Sequence, residues 1–317
     1  MAAALLGEDG RILAIEPIDA RGHGGAFCPA RSMAVLFARR PGLFAVILDL
    51  EQRRRVGAFS PPPKRRFAGH GAFSADGKLL YAAENDFDGE RGVIGIYDAS
   101  DSFRRLGEFD TFGIGPHEML MMADGTTIAV ANGGIATHPD FPRMKLNLAK
   151  MAPSLVLLRA SDGALLAQTR LPAHMHQLSI RHMAEVRPGV LWFGAQYEGP
   201  AEDLAPLVGT FDERYGIRLA PMSDSAIIAL KRYVGSVAAS GDGGTVITTS
   251  PRGGVALEWD GLSGQMRAMH RLRDVCGAAR KGPNGLLLTT GTGAVVALEG
   301  EALQTSVSWD NHLTALR

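Results

Sequence analysis

Histidine recurs at matching positions of a repeated sequence pattern. Each repeat begins with a short apolar strand, and a tight turn such as Asp-Gly, Pro-Gly or Asn-Gly often follows a few residues later. The residues that begin these strands are His23, His70, His117, His182, Ser236, Cys276 and His312. Imidazole is the commonest protein ligand for zinc, copper, iron and nickel, and thiolate suits zinc or copper. The histidines and Cys276 therefore predict a transition-metal site, for which a hydrated channel or ordinary packing is the alternative.

A second set of polar residues stands where the second strands of the repeats end. It comprises Glu84, Asn85, Asn132 and Gln196, and Ser236 joins it as the polar residue among the strand starts. Carboxylate and amide oxygens suit hard cations or sugar-like ligands, and they can also orient metal-binding imidazoles. These residues are thus candidates for ligand binding or for supporting the histidines, with simple strand termination as the alternative.

The repeat is clearest in residues 69–86, which read GHGAFSADGKLLYAAEND. Two strands flank a turn at Asp76-Gly77, and residues 93–97 and 106–109 supply two further strands. Four short strands joined by tight turns are typical of one blade of a β-propeller. Seven repeat starts predict an all-β fold, a single seven-bladed β-propeller.

The two ends of the sequence supply strands that belong to no complete repeat. Residues 2–6 and 11–18 precede the first repeat, and residues 312–316 form a strand with no successor. Joining them would close the last blade and remove open sheet edges. The first strand of each propeller blade lines the central channel, so the strand starts should converge at one mouth of it. We expect one domain over residues 1–317, with an insertion loop at about 133–153.

Composition and motifs exclude several classes of function. Lys plus Arg equals Asp plus Glu, which is unlike a nucleic-acid-binding surface. No apolar run approaches the roughly 20 residues of a membrane span. There is no Gly-rich phosphate loop, nucleophile elbow or Ser-His-Asp spacing, so no catalytic residue is assigned.

The cysteines and the N-terminus bear on the compartment of the protein. Cys28 and Cys276 fall on predicted blades 1 and 6, which are not neighbours, so we expect no disulfide between them. Residues 1–6 carry no basic segment of the kind that begins a secretory signal peptide.

Motifs along nearly the whole chain resemble one bacterial family. They are GHGAFSADG, ENDFDG, GIGPHEM, ANGGIATHPD, KLNLAKMAPSL, LSIRH, YVGSVA, TSPRGG, DVCGAA and WDNHL. The sequence resembles a propeller domain of unknown function that is commonly encoded near periplasmic iron-uptake proteins of the imelysin type. That family is similar to the wider YVTN and quinoprotein-dehydrogenase-like propellers. The resemblance implies a periplasmic location and iron-uptake proteins as partners, and it supplies no catalytic residues.

Together these observations predict a non-catalytic binding or accessory protein for metal handling. The resemblance favours iron, while the ligand types also suit copper or zinc. One alternative is a metal-dependent oxidoreductase with a histidine-ligated redox centre. Another is a scaffold for protein–protein interaction, because one fold serves many functions.

Overall fold

Short antiparallel strands build the whole chain in the computed structural model, which describes residues 1–39, 41–141, 144–298 and 300–316. Strands β1 (Ala2–Leu6) and β2 (Ile12–Pro17) form a two-stranded sheet. The strands that follow form six sheets, each a meander of four consecutive strands, which is the architecture of a propeller blade. The chain divides into two compact units. The first contains residues 1–5 and 13–171 with Leu316, and the second contains residues 6–12 and 172–315.

Blades 1, 2 and 3 lie in the first unit. Their strands, in chain order, are β3 (Gly22–Phe27), β4 (Met33–Ala38), β5 (Ala45–Asp49) and β6 (Arg54–Phe59), then β7 (Arg65–Phe73), β8 (Leu79–Asp86), β9 (Arg91–Asp98) and β10 (Arg104–Asp110), then β11 (Pro116–Met121), β12 (Thr127–Asn132), β13 (Ser154–Arg159) and β14 (Leu165–Arg170).

Blades 4, 5 and 6 lie in the second unit, which also holds the one short α-helix among the described residues, α1 (Asp224–Ala229). Their strands, in chain order, are β15 (Leu178–Arg187), β16 (Val190–Tyr197), β17 (Val208–Asp212) and β18 (Gly216–Leu219), then β19 (Ser236–Ala239), β20 (Thr245–Ser250), β21 (Val255–Asp260) and β22 (Met266–Arg271), then β23 (Val275–Lys281), β24 (Gly285–Thr290), β25 (Ala294–Ala297) and β26 (Ala302–Gln304).

Asp-Gly turns join the first and second strands of blades 2, 3 and 5, as the sequence predicts. In blade 2, Asp76 Oδ1 accepts hydrogen bonds from the Ser74 hydroxyl at 2.7 Å and the Lys78 N–H at 3.1 Å. Gly77 follows with a φ of +69°, a left-handed conformation that glycine adopts without strain. The carboxylate therefore closes the turn and the glycine lets the chain reverse.

The apolar cores lie between adjacent blades of a unit. Between blades 1 and 2, a buried apolar cluster includes Phe37, Phe67, Phe73, Leu80 and Tyr97. A second cluster joins blades 2 and 3, and a third joins blades 5 and 6. Burial of this apolar surface holds the blades face to face, so the first strands of the blades are fixed on a rigid scaffold.

The prediction of seven blades is wrong, because the described residues form six four-stranded blades. The supposed seventh repeat at His312 has no strand, and no strand is found between residue 305 and the last described residue. Its segment is held instead by other bonds, such as that from the Asn311 side-chain amide to the Tyr233 hydroxyl at 3.0 Å. Strands β1 and β2 pair with each other, so the predicted last blade made from both ends of the chain does not form.

The segment between β12 and β13 corresponds to the predicted insertion loop. It contains a 3-10 helix at Leu148–Lys150. The Asn147 side chain connects the later part of this segment to its beginning. Its Oδ1 accepts a hydrogen bond from the Ala136 N–H at 2.7 Å, and its Nδ2 donates one to the Gly134 carbonyl at 2.9 Å. Pro142 and Arg143, which the predicted insertion includes, lie outside the described residues. In the part of the chain that is described, no helix is long and apolar enough to cross a membrane.

We predict that Leu80→Ala lowers the free energy of unfolding by about 2–5 kcal/mol, because it leaves a cavity between blades 1 and 2. Leu106→Ala in the same blade is the matched control, since Leu106 is 49% exposed, and it should change the free energy by no more than about 0.5 kcal/mol. Denaturant unfolding measures both values. Equal losses in the two variants would mean that blade 2 does not pack as described.

Candidate functional site

Three of the predicted metal ligands meet in the first unit. His23 on β3, His70 on β7 and His117 on β11 come from the first strands of three consecutive blades, and we call them the histidine cluster. Their ring centroids are 4.9 Å apart for His23 and His70, and 5.6 Å apart for the other two pairs. One ring nitrogen from each residue lies within 4.8 Å of the other two. His70 and His117 are only 5% and 3% exposed.

β-bulges mark the same position in most blades. The pairing of first and second strands shifts register around His23, His70, His117 and Cys276, and a shift ends at His182. Blade 5, whose corresponding residue is Ser236, pairs without a shift. A bulge leaves a residue outside the ladder and turns its side chain. The irregularity therefore accompanies the His and Cys positions, and it is missing where serine replaces them.

Glycines let the first strands of blades 1 and 2 approach each other at the histidines. A Cβ on Gly24 would lie 2.5 Å from His70 Nδ1 and 2.7 Å from the Gly69 carbonyl oxygen. A Cβ on Gly69, whose φ is +105°, would lie 2.5 Å from His23 Cδ2. Contacts this short do not occur between real atoms of these kinds. The Gly-His-Gly pattern thus makes room for two imidazoles at one crossing of strands.

Arg39, one residue beyond β4, reaches into the histidine cluster. Its Nη1 donates to His23 Nε2 at 2.6 Å, and its Nη2 donates to His117 Nδ1 at 3.0 Å. A guanidinium can only donate, so both imidazole nitrogens act as acceptors and both rings are neutral. Neutral rings with available lone pairs are the form that binds metals. Here, however, the lone pairs of His23 Nε2 and His117 Nδ1 accept hydrogen bonds from Arg39.

Glu118 lies beside His70. Its Oε1 is 3.4 Å from His70 Nδ1, and both side chains are largely buried. A carboxylate that accepts the proton of one ring nitrogen fixes the tautomer and directs the other nitrogen toward a metal. Glu118 is therefore placed to orient His70 and to leave Nε2 as its ligand atom.

The donor set fits a transition metal ion if Arg39 rotates away. Tetrahedral zinc, with bonds of 2.0–2.1 Å, needs nitrogens roughly 3.3 Å apart, so a spread of up to 4.8 Å requires small side-chain movements. Three imidazoles leave at least one coordination position for another ligand. The cluster can thus hold zinc, copper, iron or nickel.

Two other predicted ligands meet in the second unit. The rings of His182 on β15 and His312 in the C-terminal segment have centroids 4.9 Å apart. His182 is buried and His312 is half-buried. The C-terminal segment, which the sequence assigned to a blade, thus brings an imidazole to the first strand of blade 4.

Cys276 is a buried, protonated thiol. Its Sγ donates to the Thr289 carbonyl at 3.3 Å and also lies 3.5 Å from the Trp309 carbonyl. Burial raises the pKa of Cys276 to about 11, although the Thr289 hydroxyl, 3.7 Å from Sγ, opposes this shift. A metal would have to displace that proton, so the thiol is a poorer ligand here than the neutral imidazoles. Cys28 is also a free, buried thiol.

Glu84 belongs to a network of charges inside blade 2. Its Oε1 accepts from the Tyr97 hydroxyl at 2.5 Å, and its Oε2 accepts from Arg105 at 3.1 Å. Burial raises the pKa of Glu84, and the bonds from Tyr97 and Arg105 oppose this shift. Arg105 also binds Glu108 at 2.8 Å, and the network extends from there to Arg65 and Arg91. The neighbouring Asn85 is half-buried on the same strand.

The remaining polar candidates are occupied in the sheets. The Asn132 amide donates to the Thr111 carbonyl at 2.8 Å and to the Ser154 hydroxyl at 3.2 Å, and the residue is fully buried. Ser236 is buried where β19 pairs with β20. Gln196 forms an isolated bridge with Tyr233. These contacts give the three residues a part in blade structure, and their predicted role in ligand binding stays a prediction.

Sequence reasoning did not find Arg39 or Glu118. Arg39 stands in Ala-Arg-Arg-Pro, which carries no motif, and only the fold brings it to histidines far away along the chain. Glu118 follows His117 in GIGPHEM, and the bulge at His117 was the feature that the pattern could not show.

Comparisons with known proteins identify the family and the fold. A family described as a protein of unknown function, DUF1513, matches residues 16–316. No curated protein matches the sequence. A solved structure of hydrazine synthase from Kuenenia stuttgartiensis aligns with a TM-score of 0.72 over 97% of this chain and 90% of that one. At 11% identity this likeness shows the fold alone.

We predict that Gly69→Ala destabilises the protein by about 1–3 kcal/mol, because a Cβ there is strained at positive φ and collides with His23. Gly107→Ala on β10 is the control, since no described atom lies within 4 Å of its Cβ position. That control should be neutral or stabilise by up to about 1 kcal/mol. Denaturant unfolding compares them, and a neutral Gly69→Ala would contradict the close approach of the strands.

We also predict that iodoacetamide alkylates Cys276 in the folded protein with a rate that rises toward pH 11, because the thiolate is the nucleophile and the pKa is about 11. In denaturant the midpoint should fall to about 8.5, the value of an ordinary thiol. Peptide mass spectrometry separates Cys276 from Cys28. A folded-state midpoint near 8.5 would show that the thiol is not buried as described.

Proposed function

Because the chain belongs to the DUF1513 family of proteins of unknown function, we propose its function from the histidine cluster: it is a non-catalytic binding protein for a transition metal ion. The observation that carries this proposal is the convergence of His23, His70 and His117, whose ring nitrogens lie within 4.8 Å of one another. The three imidazoles come from three separate blades. Their meeting is the arrangement that a three-nitrogen metal site requires.

The scaffold supports this function because the ligands stand on rigid elements. Each histidine lies on the first strand of a blade, and the blades are held by apolar cores rather than by the imidazoles. Binding sites on strands are positioned more accurately than sites on loops. Glu118 adds a partner that sets the orientation of His70.

Arg39 has a defined role in the metal-free protein. Its N–H groups donate to His23 Nε2 and His117 Nδ1, which requires both rings to be neutral. A metal ion bound through His23 Nε2 and His117 Nδ1 would compete with this guanidinium for the same lone pairs. Metal binding therefore moves the Arg39 guanidinium off the nitrogens of His23 and His117.

We propose that the protein uses this metal site to handle iron outside the cytoplasm. Support comes from the sequence motifs, such as GHGAFSADG and ANGGIATHPD, that resemble a family encoded near periplasmic iron-uptake proteins. Those iron-uptake proteins would be the partners. The ligand types suit iron, and they suit copper and zinc as well, so all three ions belong in the same assay.

We predict that protein purified without an affinity tag binds one metal ion and that His117→Ala weakens the affinity at least about 100-fold, since it removes a ligand. His174→Ala is the control, because His174 is exposed outside the cluster. Titration with Fe²⁺, Cu²⁺ and Zn²⁺, followed by metal analysis, measures the affinities. The unfolding midpoint confirms that His117→Ala folds. Equal affinities for the two variants, or no binding by the wild type, would refute the proposal.

A further inference from the structure

The guanidinium of Arg39 bonds ring nitrogens of two histidines that could bind a metal. Its Nη1 is 2.6 Å from His23 Nε2, and its Nη2 is 3.0 Å from His117 Nδ1. Each of these nitrogens has a single lone pair, which can accept a hydrogen bond or bind a metal but cannot do both. When a metal takes the two lone pairs, N–H groups of Arg39 are released beside it.

The charges at this point favour a small anion. A divalent ion and a guanidinium repel each other, and the repulsion is stronger in a site whose walls are buried. An anion placed between the two cations turns that repulsion into attraction on both sides. Three imidazoles also leave the metal at least one open coordination position, which an anionic oxygen can fill.

The shape of the guanidinium selects the kind of anion. Its planar fork of N–H groups matches the two oxygens of a carboxylate, and such paired bonds are among the strongest hydrogen bonds in proteins. A molecule with several carboxylates can bind Arg39 through one group and the metal through another. Because His70 and His117 are nearly buried, the anion must be small.

We propose that the histidine cluster takes its metal together with a small carboxylate chelator, which Arg39 binds through a carboxylate group. This inference rests on the proposed metal-binding function and names the chemical class of its ligand. Arg39 then has two states: it bonds His23 and His117 in the metal-free protein, and it bonds the carboxylate in the loaded one. Metal and carboxylate bind cooperatively, because each creates the partner that the other needs.

The substitution Arg39→Gln separates the two halves of this proposal, because its effects have opposite signs. Without the guanidinium, Zn²⁺ no longer competes with Arg39 for the imidazoles and no longer meets its positive charge. Its affinity should be unchanged or higher. Citrate loses the charged guanidinium that binds its carboxylate, so the affinity of citrate for the zinc-loaded protein should fall about tenfold or more.

Equilibrium dialysis with radiolabelled citrate provides the test. Wild type, Arg39→Gln and Arg11→Gln are compared with and without Zn²⁺, at citrate concentrations that leave the zinc content of the protein unchanged. Arg11→Gln is the control for loss of one positive charge, since Arg11 is exposed in the turn before β2. We expect the wild type and the control to retain citrate only when zinc is bound.

The outcomes distinguish this inference from the proposed function. If zinc binds but Arg39→Gln retains citrate as well as the wild type does, or the wild type retains none, the carboxylate inference is overturned and the metal site stands. If the wild type binds no zinc, both the proposed metal-binding function and the carboxylate inference are refuted. Should Arg39→Gln fail to fold, Arg39→Lys keeps the charge and removes the fork. Undiminished citrate binding by that variant would likewise overturn the inference.

Discussion

The close approach of two strands at Gly24 and Gly69 is the constraint on which the candidate site depends. No side chain larger than hydrogen fits at either position, because a Cβ would lie within 2.5 Å of the neighbouring imidazole. The glycines therefore let His23 and His70 sit edge to face, with ring centroids 4.9 Å apart. His117 completes the cluster from the next blade, and β-bulges turn all three side chains out of their ladders. The apolar clusters between blades hold these strands in place, so stability and ligand placement are carried by different residues.

The all-β blades and the positions of most candidate residues could be predicted from the sequence, because the repeat has a strong local pattern. Alternating apolar strands and Asp-Gly turns predicted the all-β blades, and the residues at His23, His70, His117, His182, Ser236 and Cys276 all lie on the first strands of six successive blades. The prediction of a seventh blade was wrong because a local sequence pattern does not show whether a strand pairs with other strands. His312 resembles a repeat start, yet its segment makes no ladder and is held by side chains such as Asn311.

The features that the sequence could not show are those made by long-range contacts. Arg39 is separated from His117 by 78 residues and meets it only in the folded chain. The contacts of Glu84 with Tyr97 and Arg105, which make it part of a charge network inside one blade, also appear only in the folded chain. Cys276 is a metal ligand by residue type, and its burial, which raises the pKa of the thiol, is visible only in the folded chain. Residue type predicts which chemistry is available, and packing decides which groups remain able to perform it.

The histidine cluster and Arg39 together describe a site with two arrangements, one closed by the arginine and one open to a metal. Anomalous diffraction at the zinc absorption edge, from crystals grown with Zn²⁺, tests this most directly. We expect one zinc peak within about 2.0–2.1 Å of nitrogens from His23, His70 and His117, with the Arg39 guanidinium moved off the nitrogens of His23 and His117. A structure in which Arg39 still bonds His23 and His117, with zinc bound elsewhere or absent, would contradict it.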